Sequence, residues 1–275
     1  MSTAYRPRTT DPAGGRYADG LLSHGRAGEY ERLLLLEQVC DPGTIRVLES
    51  LPMKRDWHCA EVGAGTGGVA RWLAERCPHG QVTATDLDTR FLDSMVRPGH
   101  LRVSQQDVTT TDFPPGSLDL VHARAVLTHL PAPEQVVRRM ANWLKPGGWL
   151  VIEDPTYLPA GASPYPDFAA LLAACEELLA RTQGTDNSWA RRIPAAMADS
   201  GLTDLAMAGE LSVCGRDETE DRYWRQCFAR ATPALLESGL MTASRIQRAL
   251  AHLDRPEFSD VAWMMISCSA RRPPR

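Results

Sequence analysis

No stretch of this 275-residue sequence is apolar enough to span a bilayer, and its leucine run, Leu33–Leu36, is far too short. A membrane partner is therefore not expected. Surplus charge is also missing: 30 basic and 34 acidic side chains leave a net −4, which gives no electrostatic footprint for nucleic acid. The arginine pairs Arg138-Arg139 and Arg191-Arg192 are scattered and read as solvated faces. The seven cysteines are odd in number and contain no CxxC pair. Neither a disulfide framework nor a metal site is expected, and a reducing cytoplasm fits. Met1 to Thr10 is polar and contains proline, unlike a secretory signal. No internal repeat is visible. What is there is a hydrophobic fraction of 43%. That suits one large domain, or a domain with a sizeable subdomain, and argues against disorder.

The most informative stretch is Glu61-Val62-Gly63-Ala64-Gly65-Thr66-Gly67-Gly68. A strand-like run, Trp57–Ala60, precedes it and a helical pattern, Val69–Ala74, follows. Strand, glycine turn and helix in that order make a nucleotide-type binding corner. Glycine lets the backbone approach a ligand, and the helix N-terminus offers unpaired N–H groups. Gly63, Gly65 and Gly68 also fit a GxGxxG dinucleotide fingerprint, so this stretch alone leaves the ligand class open.

Residues 1–16 read as loose. A helical pattern begins near Glu29 with Tyr30, Leu33, Leu34 and Val39. Asp41-Pro42 is expected to end it, with a second short helix over Thr44–Leu51. Residues 1–52 then form an N-terminal helical cap. It either packs on a sheet edge or covers the glycine corner, bringing Tyr17, His24 or Arg32 to the ligand. Residues 53–155 alternate strands (57–62, 81–86, 101–105, 118–122, 149–153) with helices (67–77, 89–96, 133–144). Such alternation implies a parallel sheet with right-handed crossovers. Ligands bind beyond the carboxyl ends of its strands, which gathers Glu61–Gly67, Asp86, Asp107, Arg124 and Asp154 at one edge. A proline-rich linker follows. Helices are expected at 166–182, 188–200, 218–238 and 242–253, with strands at 205–213 and 261–269. The expected fold is α/β: a Rossmann-like, seven-stranded, mostly parallel sheet with helices on both faces. Residues 156–275 add helical insertions after strands five and six, which wall a substrate pocket or simply decorate the fold.

The glycine stretch resembles the first motif of class I methyltransferases that use S-adenosylmethionine. Asp86 after Ala84-Thr85 resembles their second acidic position, and Asp107-Val108 the third. Phe113-Pro114 through His122 resembles their fourth strand, and Leu144-Lys145-Pro146-Gly147-Gly148-Trp149-Leu150 the turn into their fifth. The motifs stand in the family's order over residues 57–154. Ala84 to Leu92, His122-Ala123-Arg124 and His129-Leu130-Pro131 are similar to a bacterial small-molecule branch. That branch often carries an N-terminal Tyr, matching Tyr17, and an Arg in its cap helix, matching Arg32. Ser188 to Pro194 has a similar echo.

The resemblance implies S-adenosylmethionine as cofactor and a small molecule as acceptor, in bacterial specialised metabolism. Oxygen is the first choice of methylated atom, then nitrogen, then carbon. Gly63, Ala64 and Gly65 would lie against the tail and ribose, and Glu61 would attract the tail ammonium. Asp86, an ionised carboxylate, suits a ribose diol, and Leu87 would pack on adenine. Asp107 and the Val108 amide would meet the adenine edge. Each Asp could instead cap the next helix. Arg124 either contacts the tail carboxylate and walls the methyl site, or pairs with Glu61 or Asp154. Methyl transfer rests largely on proximity, and a base is needed only if the acceptor must lose a proton. His129 is the first candidate, followed by His122, His24, Glu153 and Asp154. Asp119 reads as structural. Trp189, Tyr157, Tyr223 and Trp224 of the insertions either stack on an aromatic acceptor or fill helix interfaces. A nicotinamide oxidoreductase would also explain the glycines and Asp86, but not Asp107 or the Lys-Pro-Gly-Gly turn. A non-catalytic binding protein remains a further alternative. A homodimer is compatible with the sequence, which does not specify oligomeric state.

Overall fold

Seven extended segments pair into one sheet in the computed structural model, which describes residues 20–93, 98–158 and 162–274. Tyr17 lies outside the described residues. The strands are β1 (His58–Val62), β2 (Gln81–Asp86), β3 (Leu101–Gln105), β4 (Leu118–Arg124), β5 (Leu144–Thr156), β6 (Thr203–Cys214) and β7 (Asp260–Arg271). Their order across the sheet is β3-β2-β1-β4-β5-β7-β6. β1 to β5 pair in parallel, and β7 runs antiparallel to both β5 and β6. The sheet is therefore mostly parallel, as the alternating sequence pattern implies. The order reverses between β1 and β4, where an open α/β sheet leaves a crevice beyond its strand ends.

Helices α1 (Glu29–Glu49), α2 (Gly68–Arg76), α3 (Arg90–Asp93), α4 (Pro133–Trp143), α5 (Pro166–Gln183), α6 (Ile193–Asp199), α7 (Glu218–Glu237) and α8 (Ala243–Leu250) surround it. Three apolar clusters result. One packs α2 and the end of α1 against β1 and β2 through Leu48, Leu73 and Val82. A second packs α4 and α6 on the opposite face through Val137, Met140 and Ile193. The third joins α1 to both insertions and β7, through Leu35, Phe168, Phe228 and Trp263. The cap and the insertions thus share one core.

The structure corrects the expected break at Asp41-Pro42. α1 runs unbroken from Glu29 to Glu49 with Pro42 inside it. Proline removes one helical hydrogen bond and crowds the preceding turn. Here the residues on either side are held from outside the helix. Asp41 accepts from Arg124 Nη2 at 2.6 Å, and Thr44 Oγ1 donates to Glu153 at 2.5 Å. β5 likewise starts earlier than expected, at Leu144, which pairs with Leu118 before the Lys145–Gly148 segment interrupts the register and pairing resumes at Trp149 opposite Leu120. The expected helix over 188–200 divides into a 3-10 turn, Trp189–Arg192, and α6.

Of the two roles open to Trp189, packing is the one observed: it fills the core beneath the sheet. Its Nε1 donates to Asp154 Oδ2 at 3.0 Å, and both side chains are fully buried. Asp154 therefore points into the core and does not join Asp86 at the ligand edge. Asp119 is structural as expected, accepting from the His58 amide and from Lys145.

Burial pushes the Asp154 carboxyl up to about 8. Its folded value stands above the unfolded one, so its contribution to stability is complete below about pH 4 and is lost as pH rises through about 8. Asp154→Asn has no proton to lose. Its melting temperature relative to the parent should rise between pH 5 and pH 9 in thermal unfolding, and a constant difference would contradict this account.

Candidate active site

A cavity of about 230 Å³ opens at the β1/β4 crevice, lined from the glycine corner on one side and from α5, α7 and β7 on the other. The glycine corner is shaped by its neighbours. Gly63 has φ +67°, and a Cβ there would stand 2.2 Å from Val126 Cγ2. Val126 follows β4, so Gly63 is glycine because the two crevice strands close against each other. Gly65 has φ +56°, but a Cβ there would meet nothing within 4 Å. Its free side faces open space. Ala125, in the cavity wall, also holds a positive φ of 54°, fixed by its N–H bond to the Glu153 carbonyl at 2.8 Å. Non-glycine residues in that region carry strain that the surroundings must hold.

Glu61, Gly63, Ala64, Gly65, Asp86, Leu87, Asp107, Val108, Arg124, Arg32 and His129 all line this cavity. Asp86 Oδ2 accepts from the Gly65 amide at 2.9 Å, and burial raises its carboxyl pKa. Asp107 Oδ1 accepts from the amide and hydroxyl of Thr109 at 2.8 and 2.6 Å, a turn contact that still leaves the residue in the cavity wall. Arg124 pairs with Asp41 and donates to Thr44 at 2.7 Å, so its partners are on α1 and not the expected Glu61 or Asp154. Arg32 gives Nε and Nη2 to Glu29 at 2.9 and 2.7 Å.

Behind Glu61 lies a buried ionic chain. His122 Nδ1 stands 2.6 Å from Glu61, and its Nε2 3.0 Å from Glu153. Burial alone would lower the imidazole pKa, but the two carboxylates outweigh it and raise it to about 9. Burial likewise works against an ionised Glu153, yet His122, Arg124 and Ser267 hold its carboxyl down at about 2. Glu61 is pushed up by burial, with the imidazolium opposing. His122 and Glu153 are therefore framework, not bases. Of the base candidates, His129 and His24 face the cavity. His129 meets Thr185 Oγ1 at 3.0 Å, and burial, with Arg32 adding to it, lowers its pKa to about 4. His24 Nδ1 meets the Asp88 carbonyl oxygen at 2.9 Å.

Sequence reasoning missed Glu37 and Trp263. Glu37 reaches from α1 to accept from the Gly68 amide at 2.8 Å and from the Thr66 hydroxyl, which caps α2. Trp263 of β7 lines the cavity beside Tyr223 and Trp224. An acid one helical turn before Asp41 was the available signal for the first, while the second depends on how β7 meets α7.

Residues 60–152 match the family model of a methyltransferase domain. That segment, about a third of the chain, is similar to such domains. It holds the glycine corner, the acids after β2 and β3, and the turn into β5. Among curated proteins, the methyltransferase str3 of Strobilurus tenacellus is 39% identical over 101 residues, 36% of each chain. The chain spans about a third of the length of the first curated relatives it matches. Among solved structures, the geranyl diphosphate C-methyltransferase of Streptomyces coelicolor A3(2) aligns with a TM-score of 0.53 at 16% identity, covering 92% of this chain and 83% of that one. The [4+2]-cyclase SpnF aligns with a TM-score of 0.55 at 16% identity, covering 86% and 83%. These likenesses show that the methyltransferase-type fold extends beyond the domain to most of the chain. Among the described residues, no helix is long and apolar enough to cross a membrane, and no cluster of ligating side chains could hold a metal ion.

The two glycines should separate fold from ligand. Gly63→Ala must displace Val126, at a cost of roughly 1–3 kcal/mol in denaturant unfolding, on top of about 1–2 kcal/mol for its own left-handed backbone. Gly65→Ala should cost only about 1–2 kcal/mol for its left-handed backbone, and its added methyl should weaken binding in the cavity. Equal destabilisation by both would contradict the crowding at Gly63.

Proposed function

We propose that the protein is an S-adenosylmethionine-dependent methyltransferase acting on a small-molecule acceptor. The observation that carries this reading is the arrangement at the crevice. Glu61 and Asp86 near the ends of β1 and β2, and Asp107 just past β3, line one cavity, and the Gly65 side of the turn faces open space. Those residues fit the cofactor. The Gly63–Gly65 backbone admits its tail, Glu61 answers the ammonium, and Asp86 is placed for the ribose diol. Asp107, Val108 and Leu87 are assigned to the adenine, and Arg124 to the tail end. The bound cofactor supplies an electrophilic methyl on a good leaving group, so the chain's task is chiefly orientation.

The cavity's second wall, built by residues 156–275, selects the acceptor. The core, 53–155, holds the cofactor, and the cap, 1–52, covers the glycine corner. Oxygen is the favoured acceptor atom, then nitrogen, then carbon. His129, kept neutral by burial, is assigned the proton of an acceptor hydroxyl. The similarity of His122-Ala123-Arg124 and His129-Leu130-Pro131 to a bacterial small-molecule branch supports a reaction in bacterial specialised metabolism. Fold alone does not imply chemistry, and the likeness to a [4+2]-cyclase keeps a role without methyl transfer as the second reading.

Calorimetric titration with S-adenosylmethionine, S-adenosylhomocysteine and NADH tests the assignment. The two adenosyl sulfur ligands should bind at micromolar concentration and NADH should not. Asp86→Ala should weaken the sulfur ligands roughly 10- to 100-fold, the worth of a hydrogen bond to a charged group. His129→Asn should bind them as the parent does and lose turnover. Binding of NADH alone would overturn the cofactor, and unchanged Asp86→Ala affinity the ribose assignment.

A further inference from the structure

The far half of the cavity differs in charge from the glycine corner. Its acids, Glu37, Glu61, Asp86 and Asp107, all belong to the corner. The lining contributed by α5, α7, β7 and the segment after β5 contains no carboxylate among the described residues. It is aromatic instead: Tyr157, Tyr223, Trp224, Phe228 and Trp263. The cations there are Arg32 and Arg230, which share one carboxylate. Glu29, fully buried, takes Arg32 through Nε and Nη2 and Arg230 through Nη1 at 2.6 Å. Two guanidinium groups against one carboxylate leave a single positive charge beside an aromatic wall.

That surplus has a direction. Arg230 also donates to the backbone carbonyls of Leu21 and Ala27, so its nitrogens are committed. Arg32 is 5% exposed, and Glu29 occupies only the side-on edge of its guanidinium. Beyond Glu29, the guanidinium meets the Cys227 thiol, a weak acceptor, among the described residues. A guanidinium fork of this kind matches a carboxylate bidentately. Because Glu29 is shared with Arg230, the two cations are balanced by one carboxylate, and an anionic ligand would supply the second negative charge.

We propose that this half of the cavity takes an acceptor with an apolar, aromatic-sized body and one carboxylate, which pairs with the end-on edge of Arg32. Arg32 is then a specificity-determining residue for the acceptor and not a ligand of the cofactor tail, the role its sequence position implies. The assignment rests on the methyltransferase reading. It leaves His129, on the same wall, to the group that is methylated.

Three probes sharing one body test it: 3-phenylpropionate, 3-phenylpropanol and 3-phenylpropylamine. Each is titrated calorimetrically into the protein saturated with S-adenosylhomocysteine. The carboxylate should bind at least tenfold more tightly than the alcohol, and the amine most weakly. Arg32→Met should abolish the preference and leave the affinity for S-adenosylhomocysteine unchanged. Glu29 keeps Arg230 in that variant, so the fold has a buried ion pair to rely on. Arg32→Lys should restore part of the preference, which a loss of folding would not allow. The proposal is overturned if the carboxylate is not the tightest probe, including the case in which none binds. It is also overturned if Arg32→Met loses the cofactor product and keeps the probe preference. Failure of the parent to bind S-adenosylhomocysteine would instead remove the methyltransferase reading beneath it.

Discussion

The buried ionic chain behind the glycine corner constrains everything around it. It runs from Glu61 at the end of β1, through His122 on β4, to Glu153 on β5. Thr44 and Ser267 close on Glu153 from α1 and β7, and Arg124 links Thr44 to Asp41. Charges this deep persist only when paired and hydrogen-bonded. Breaking one link would strand the next, so the strands, the cap helix and the returning strand are held to one geometry. This is why α1 passes through Pro42 without ending.

Counted with ionised carboxylates, the chain has three acids (Asp41, Glu61, Glu153) against His122 and Arg124. One negative charge is left over. Glu61 is the acid of the group that lines the cavity, and its described side-chain partner is the imidazole. A tail ammonium arriving at Glu61 would balance the group. The opposite wall carries the complementary imbalance, one positive charge at Arg32. The cavity is thus polarised along its length, acidic at the glycine corner and basic at Arg32, with His129 also in its lining.

Much of this was legible in the residues. Strand, glycine turn and helix are local, and the five core strands follow from runs of apolar residues bounded by turns. Asp86 could be paired with the corner because a parallel sheet brings successive strand ends together. What was not legible depends on contacts distant in sequence. Asp41-Pro42 reads as a break until Arg124 and Glu153, more than eighty residues on, are seen holding it. Trp189 and Trp224 look alike in the sequence, and only packing sends the first to Asp154 and the second to the cavity. His122 reads as core, which it is, but its charge comes from two acids on neighbouring strands. Arg124 had the right kind of partner expected and the wrong element.

The central claim is that this corner, with its charge-unbalanced Glu61 chain, is a site for the amino acid tail of the cofactor. Calorimetry comparing S-adenosylhomocysteine with 5′-methylthioadenosine, which keeps the adenosine and lacks the tail, tests it most directly. The account predicts that S-adenosylhomocysteine binds at least about tenfold more tightly, a difference of about 1.4 kcal/mol. Equal affinity would mean that Glu61 and the chain behind it meet no ligand charge, and would contradict the account.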